Sequence, residues 1–320
     1  MASEQAGETV TAAAGQHGNT EHRFLELLKK ASELKPEELL YRRNGMLFPS
    51  LLCTEHNLEQ FSKFEARPED LCLVSYPKCG FNWVIQLLRG IASTVQNKTE
   101  EEKENEPKVM ILEFANADRH KLLKKQQSPR AYGTHFHYED LPTSIIEKKT
   151  KILVVSRNPK DTAVSYYHFY QKNPLLPTPT SWDEFFKKFM AGEVAWGSYF
   201  DYALALDKYI DDEGVMFITF EELKEDLAGG VRRIAEFYGF SLSEEQIQDI
   251  ADKGTFQAMS ANSQKTHFNF GNIFFRKGVV GDWRTLFTEE QSREMDAKFE
   301  SCLAGTKLGA KLKYDLYCKA

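Results

Sequence analysis

Three short runs of the chain are apolar at almost every position, and an apolar pattern of helical period follows. The runs are Leu71-Cys72-Leu73-Val74-Ser75-Tyr76, Lys151-Ile152-Leu153-Val154-Val155-Ser156 and Val215-Met216-Phe217-Ile218-Thr219-Phe220. Strands that are apolar on both sides belong in the middle of a covered, parallel sheet. After the first run, Trp83, Val84, Leu87, Leu88, Ile91 and Val95 recur at helical spacing. After the second, Pro159 suits the first position of a helix, and Ala163, Val164 and Tyr167 make an apolar stripe. Strand then helix, repeated, predicts an α/β fold with a central parallel sheet flanked by helices. Ligands of such sheets bind beyond the carboxyl ends of the strands, so the strand–helix junctions are where chemistry is expected.

Other segments read as punctuation. Residues 1–20 hold no bulky apolar side chain except Val10 and are expected to form a disordered tail, which leaves 21–320 as one folded domain. A helical patch is expected over 21–34 (Phe24, Leu25, Leu27, Leu28). The polar run 97–107 predicts an exposed loop closed by Pro107. The stretch 171–185, with three prolines, predicts a second loop in which Ser181 caps a helix.

Composition narrows the classes. The chain has 320 residues, 42% hydrophobic and 28% charged, which excludes global disorder and repetitive fibres. Its net charge is −6, so no bulk basic field draws nucleic acid or an anionic membrane. Any anion must be held by a local constellation. The five cysteines show no Cys-x-x-Cys spacing, so neither a disulfide framework nor a zinc ribbon is expected. The start of the chain has no apolar leader, and there is no apolar run of membrane-spanning length and no C-terminal prenylation box. A reduced compartment, the cytosol, is expected.

The first junction reads Tyr76-Pro77-Lys78-Cys79-Gly80-Phe81-Asn82-Trp83. Unpaired N–H groups and the dipole at a helix start favour an anion, and Lys78 adds a full charge. This is the logic of a phosphate loop without its usual sequence: the chain contains no Gly-Lys dipeptide, which disfavours an ordinary ATPase, GTPase or nucleotide kinase. Alone, the turn reads equally well as a plain corner with an exposed lysine. At the second junction Arg157 leaves the strand where a bidentate phosphate contact would be made, and Ser165 lies two turns into the helix. Alone, Arg157 pairing with a surface carboxylate is the plainer reading. Gly133-Thr134-His135-Phe136-His137-Tyr138 offers two histidines, which an extended segment would turn to one side. A zinc pair would need further ligands, and none is evident, so no metal is expected.

Taken together, Tyr-Pro-Lys-x-Gly-x-x-Trp, then Arg157-Asn158-Pro159-Lys160-Asp161 with Ser165-Tyr166-Tyr167-His168-Phe169, then Phe275-Arg276-Lys277-Gly278 with Gly281-Asp282-Trp283, resembles the cytosolic sulfotransferases. The resemblance runs from about residue 45 to the C-terminus and is nearest the family 6B branch. It implies a five-stranded parallel sheet and the donor 3′-phosphoadenylyl sulfate (PAPS). It implies a donor site made of Lys78, Cys79, Gly80, Phe81, Asn82 and Trp83 around the 5′-phosphosulfate. Arg157, Ser165, Arg276, Lys277 and Gly278 would hold the 3′-phosphate. Trp83, Phe220, Gly254, Thr255, Phe256, Met259 and Phe275 would complete the nucleotide site. The base comes directly after Thr, which selects His135, with Lys78 steadying the leaving group.

The sequence departs from that pattern in five places. The turn has Cys79, Phe81 and Asn82 where Ser, Thr and Thr are usual. Gly133 replaces a frequent Lys, Phe220 a Tyr, and Gly254 a Thr. The dimer motif is altered around Arg284, Thr288, Glu289 and Arg293, which puts the family's homodimer in doubt. Phe81, Phe114, Phe136, Tyr138, Phe268, Phe270 and Phe274 are candidate acceptor liners, and 266–275 a candidate lid. The branch implies a phenol such as thyroxine or another iodothyronine, and with it a part in thyroid-hormone or xenobiotic metabolism. The alternative is a PAPS-binding protein with little turnover, motivated by Gly133 and Phe81.

Overall fold

The structure, a computed structural model, describes residue 22 and residues 25–104, 111–267 and 276–319. A hairpin of β1 (Leu40–Arg43) and β2 (Met46–Pro49) precedes the main sheet. Its turn, Asn44-Gly45, takes positive φ at both residues (49° and 81°), which matches the twist of paired strands. The main sheet consists of β3 (Leu71–Val74), β4 (Ala131–Thr134), β5 (Ile152–Ser156) and β6 (Val215–Thr219) in the order β4-β3-β5-β6, all parallel. The three apolar runs are its three consecutive strands β3, β5 and β6. The order reverses between β3 and β5, so the two predicted junctions sit side by side at the switch point of the sheet.

Alternate residues of each strand enter different cores. Leu71, Leu73, Leu153 and Val155 pack with Val84, Leu87, Leu88 and Ile91 of the helix Phe81–Val95. Cys72, Val74, Ile152 and Val154 pack with Ala163, Val164, Tyr166 and Tyr170 of the helix Pro159–Lys172. Both faces are thus covered, which is why these runs carry no polar alternation. Pro159 occupies the first turn of its helix, and the Asn158 side chain caps it by accepting the Asp161 N–H.

Two expectations change. The sheet has four strands among the described residues, not five. Beside β4 a single parallel bridge joins Ile111 to Gly133. The 97–107 segment is not all loop: Glu100–Glu104 is helical, started by reciprocal hydrogen bonds between Thr99 and Glu102. Ser181 caps the helix Trp182–Ala191 as predicted. Residues 25–33 are helical; the rest of the tail and the candidate lid residues Phe268, Phe270 and Phe274 lie outside the described residues.

At the amino edge of the sheet, opposite the junctions, Asp70 and Arg130 form a fully buried ion pair. The Arg130 Nε donates to Asp70 Oδ1 at 2.8 Å, and the Tyr132 hydroxyl to Oδ2 at 3.0 Å. Removing one partner strands a buried charge, so Asp70→Ala is expected to cost about 3–5 kcal/mol. The check is a lowered urea midpoint at unchanged slope.

Candidate active site

The turn after β3 enters its helix through Gly80, whose φ is +109°. A Cβ there would lie 3.2 Å from the Phe220 ring. No side chain caps this helix, unlike the helix that begins after Asn158. The Trp83 and Val84 N–H groups both reach the Gly80 carbonyl at 3.0 Å, and no side chain takes the N–H groups ahead of them. Lys78 also has positive φ (70°), rare for a residue with a Cβ, and its Nζ lies 4.2 Å over the Phe169 ring. Burial, then the neighbouring charges of Arg157 and Arg276, lower the Lys78 pKa to about 7. The Cys79 sulfur lies 3.6 Å from the Thr162 hydroxyl, and burial pushes its pKa up to about 12, so it stays a thiol.

Arg157 leaves β5 beside this turn. Its guanidinium lies 4.2 Å from the Phe220 ring and donates to the Val279 carbonyl at 2.9 Å. Its Nε is buried with no partner. Asp161 accepts the N–H groups of Gly281 (2.8 Å) and Trp283 (2.9 Å), which docks the late loop onto the same helix start. Arg276 and Lys277 both pair with Asp282, Lys277 at 2.7 Å. Burial pushes the Asp282 carboxyl up, but hydrogen bonds from Lys277 and Arg276 outweigh it and hold it below the usual range.

The aromatic part of the predicted nucleotide site also converges. Trp83 donates its Nε1–H to the Gly254 carbonyl at 2.7 Å and packs edge-on against Phe220 at 5.1 Å. The Phe256 ring rests on Gly278, where a Cβ would approach to 2.3 Å at a φ of +62°. A Cβ at Gly254 would lie 2.5 Å from the Leu87 Cδ2 methyl, so a threonine there needs the Leu87 side chain to move. Thr255 caps the Phe256–His267 helix by accepting the Ala258 N–H, and Met259 is buried beneath it. Ser165 is half-buried, Asn82 lies in the first turn of its helix, and Phe275 lies outside the described residues.

His135 follows the end of β4. Its Nδ1 lies 2.7 Å from the Ser75 carbonyl. A carbonyl only accepts, so Nδ1 carries the hydrogen and Nε2 keeps its lone pair. Its backbone N–H is held by Glu113 Oε1 at 2.8 Å. Phe81 and Trp196 rings lie 4.6 and 5.0 Å away. Burial, and then the charge of Lys78, outweigh the Ser75 hydrogen bond and lower the His135 pKa to about 4. The histidine is therefore neutral at working pH.

The expectation that His137 shares this side fails. The strand ends at Thr134, and the His137 ring packs edge-on against Tyr202 at 4.7 Å. Phe136 stacks between Phe48 (5.2 Å) and Phe61 (4.6 Å), and Phe114 lies 5.8 Å from Trp196. Tyr138 instead stacks on Tyr209 at 3.7 Å. Among the described residues no group of three His, Cys, Asp or Glu could hold a metal ion, and no helix is long and apolar enough to cross a membrane.

Sequence reasoning missed Ser75, Glu113 and Trp196. Glu113 is fully buried, and burial outweighs its hydrogen bonds to raise its pKa to about 7. Trp196 sits at positive φ (61°), with its backbone N–H donating to the Leu47 carbonyl at 2.8 Å. None of these positions carries a periodic or motif signal.

The sulfotransferase domain family matches residues 68–307. This chain belongs to the sulfotransferase family. It is similar to Sulfotransferase 6B1 of Danio rerio, with 49% identity over 91% of this chain and 98% of the relative. It is likewise similar to Sulfotransferase 6B1 of Homo sapiens, with 48% identity over 92% of this chain and 96% of that one. The crystal structure of mouse sulfotransferase SULT7A1 complexed with PAP superposes with a TM-score of 0.74 at 32% identity, covering 86% of this chain and 99% of the mouse chain. The chain is thus a PAPS-dependent sulfotransferase, an enzyme of sulfuryl transfer.

The left-handed backbone at residue 80 (φ +109°) favours glycine there. Gly80→Ala is expected to cost about 1–2 kcal/mol from backbone conformation alone. Thermal melting of the ligand-free protein checks this.

Proposed function

We propose that this sulfotransferase works in the cytosol and transfers the sulfuryl group of PAPS to the hydroxyl of a small lipophilic acceptor. The acceptor class is a phenol, such as thyroxine or another iodothyronine. His135 is the base, and Lys78 meets the charge on the leaving oxygen. The observation that carries the reading is a neutral histidine, held in one tautomer by Ser75, beside a cluster of cations on the same sheet edge.

The residues present suit the donor. The uncapped helix start, the unpartnered Nε of Arg157 and the cationic late loop are what a polyanion needs in a protein of net charge −6. When bound, PAPS supplies a sulfuryl group already activated by its phosphate leaving group. The acceptor proton passes to His135 Nε2, the acceptor oxygen bonds to sulfur, and the sulfur–oxygen bond to the phosphate breaks, leaving PAP. Arg157, Arg276 and Lys277 hold the 3′-phosphate, the latter two exchanging Asp282 for it. Trp83, Phe220 and Phe256 enclose the base of the nucleotide. The rings around His135 favour a flat, apolar acceptor. The PAP bound by mouse SULT7A1, a relative of the same fold, supports the donor assignment.

Two substitutions separate chemistry from binding. His135→Ala is expected to lower transfer by about 10³-fold or more while PAP affinity stays within about twofold. Arg157→Ala is expected to weaken PAP binding by about tenfold or more. Retained transfer in His135→Ala would remove the base assignment. A pH effect follows from Lys78. An anion favours the charged amine, so the pKa rises on binding from its free value of about 7. PAP affinity should fall as pH climbs from 7 to 9, and binding at pH 8 should take up close to about one proton. Calorimetry in buffers of different ionisation enthalpy reads that uptake.

A further inference from the structure

Phe81 is the first residue of the helix that begins at the donor turn, and it is almost fully buried. Its ring lies directly over Gly133. A Cβ at 133 would meet Phe81 Cε2 at 2.6 Å and Cζ at 2.8 Å, with the Leu73 carbonyl closing the other side at 2.8 Å. The register of β3 and β4, which pairs Leu73 with Gly133, makes this seat rigid. The same ring lies 4.6 Å from the His135 ring at an angle of 55°, and Trp196 closes another side at 5.0 Å. Donor turn and base strand therefore touch through one phenyl group.

We infer that Phe81, seated on Gly133, is a specificity-determining residue: with Trp196 it keeps water from His135 and so selects acceptors that release their proton readily, acidic phenols over alcohols. This rests on the reading of His135 as the base. A dry imidazole resists becoming a cation, and its low proton affinity in the free protein agrees with that. The polar and charged groups that bear on it are the Ser75 carbonyl, which favours the cation, and Lys78, which opposes it; Glu113 engages only its backbone N–H. A base so weakened takes a proton efficiently only from an acceptor of low pKa.

The test uses the full-length protein and three variants. Phe81→Thr and Phe81→Ala open the wall; Phe81→Leu keeps apolar bulk. The first readout is the titration midpoint of His135, followed by NMR on histidine-labelled protein and assigned by the signal missing in His135→Ala. The opened variants should raise it by at least about one unit, and Phe81→Leu by much less. The second is kcat/KM with PAPS for para-substituted phenols of graded acidity and for benzyl alcohol. In the wild type it should rise by about tenfold or more towards the acidic phenols, with benzyl alcohol poorest; opening the wall should flatten that trend. An unchanged midpoint in both opened variants would overturn the shield. A shifted midpoint with an unchanged acidity trend would overturn the selectivity. Wild type without turnover on any acceptor would sink the catalytic reading and the selectivity with it, while the midpoint would still decide on the shield.

Discussion

The start of the Phe81–Val95 helix, which carries no side-chain cap, is the constraint around which this site is built. Gly80 makes the corner left-handed. Such a helix start favours an anion, and the protein's net charge is negative, so the anion must be drawn locally. The sheet solves this by topology. The order β4-β3-β5-β6 reverses between β3 and β5, which sets Arg157 beside the turn without any contact near in sequence. Asp161 then pulls the late loop, with Arg276 and Lys277, onto the same edge. Burial first, and then the neighbouring cations Arg157 and Arg276, lower the proton affinity of Lys78.

The proposed base lives under the opposite demand. As a base His135 would have to stay neutral and keep a lone pair for the acceptor, and burial favours the neutral ring. Ser75 fixes the tautomer, and Glu113 holds the backbone at the end of β4. The cation cluster and the neutral base are neighbours in space yet hang from different strands. A change at one side can therefore separate binding from chemistry.

Much of this was legible in the sequence because it is local. The apolar runs of β3, β5 and β6 carry two-sided burial in their composition, and Asn158-Pro159 announces a helix start. The cationic residues proposed for the donor come as short motifs, and the structure brings Lys78, Arg157 and Arg276 close enough for their charges to interact. What was not legible depends on contacts between remote segments. Trp196 reaches His135 because a backbone bridge to Leu47 places it there. Ser75 acts through a carbonyl, which has no residue code. His137 was misplaced because the strand stops three residues earlier. Phe81 and Gly133 look like two separate departures from the family pattern; in space they are one, since the ring fills the room a side chain at 133 would need.

The most direct measurement combines purified protein, PAPS and a mixed panel of phenols, iodothyronines, steroids and amines, with products read by mass. The account predicts sulfated phenols as the dominant products. Saturable PAP binding without any sulfated product would contradict it, leaving a nucleotide-binding protein that has lost its chemistry.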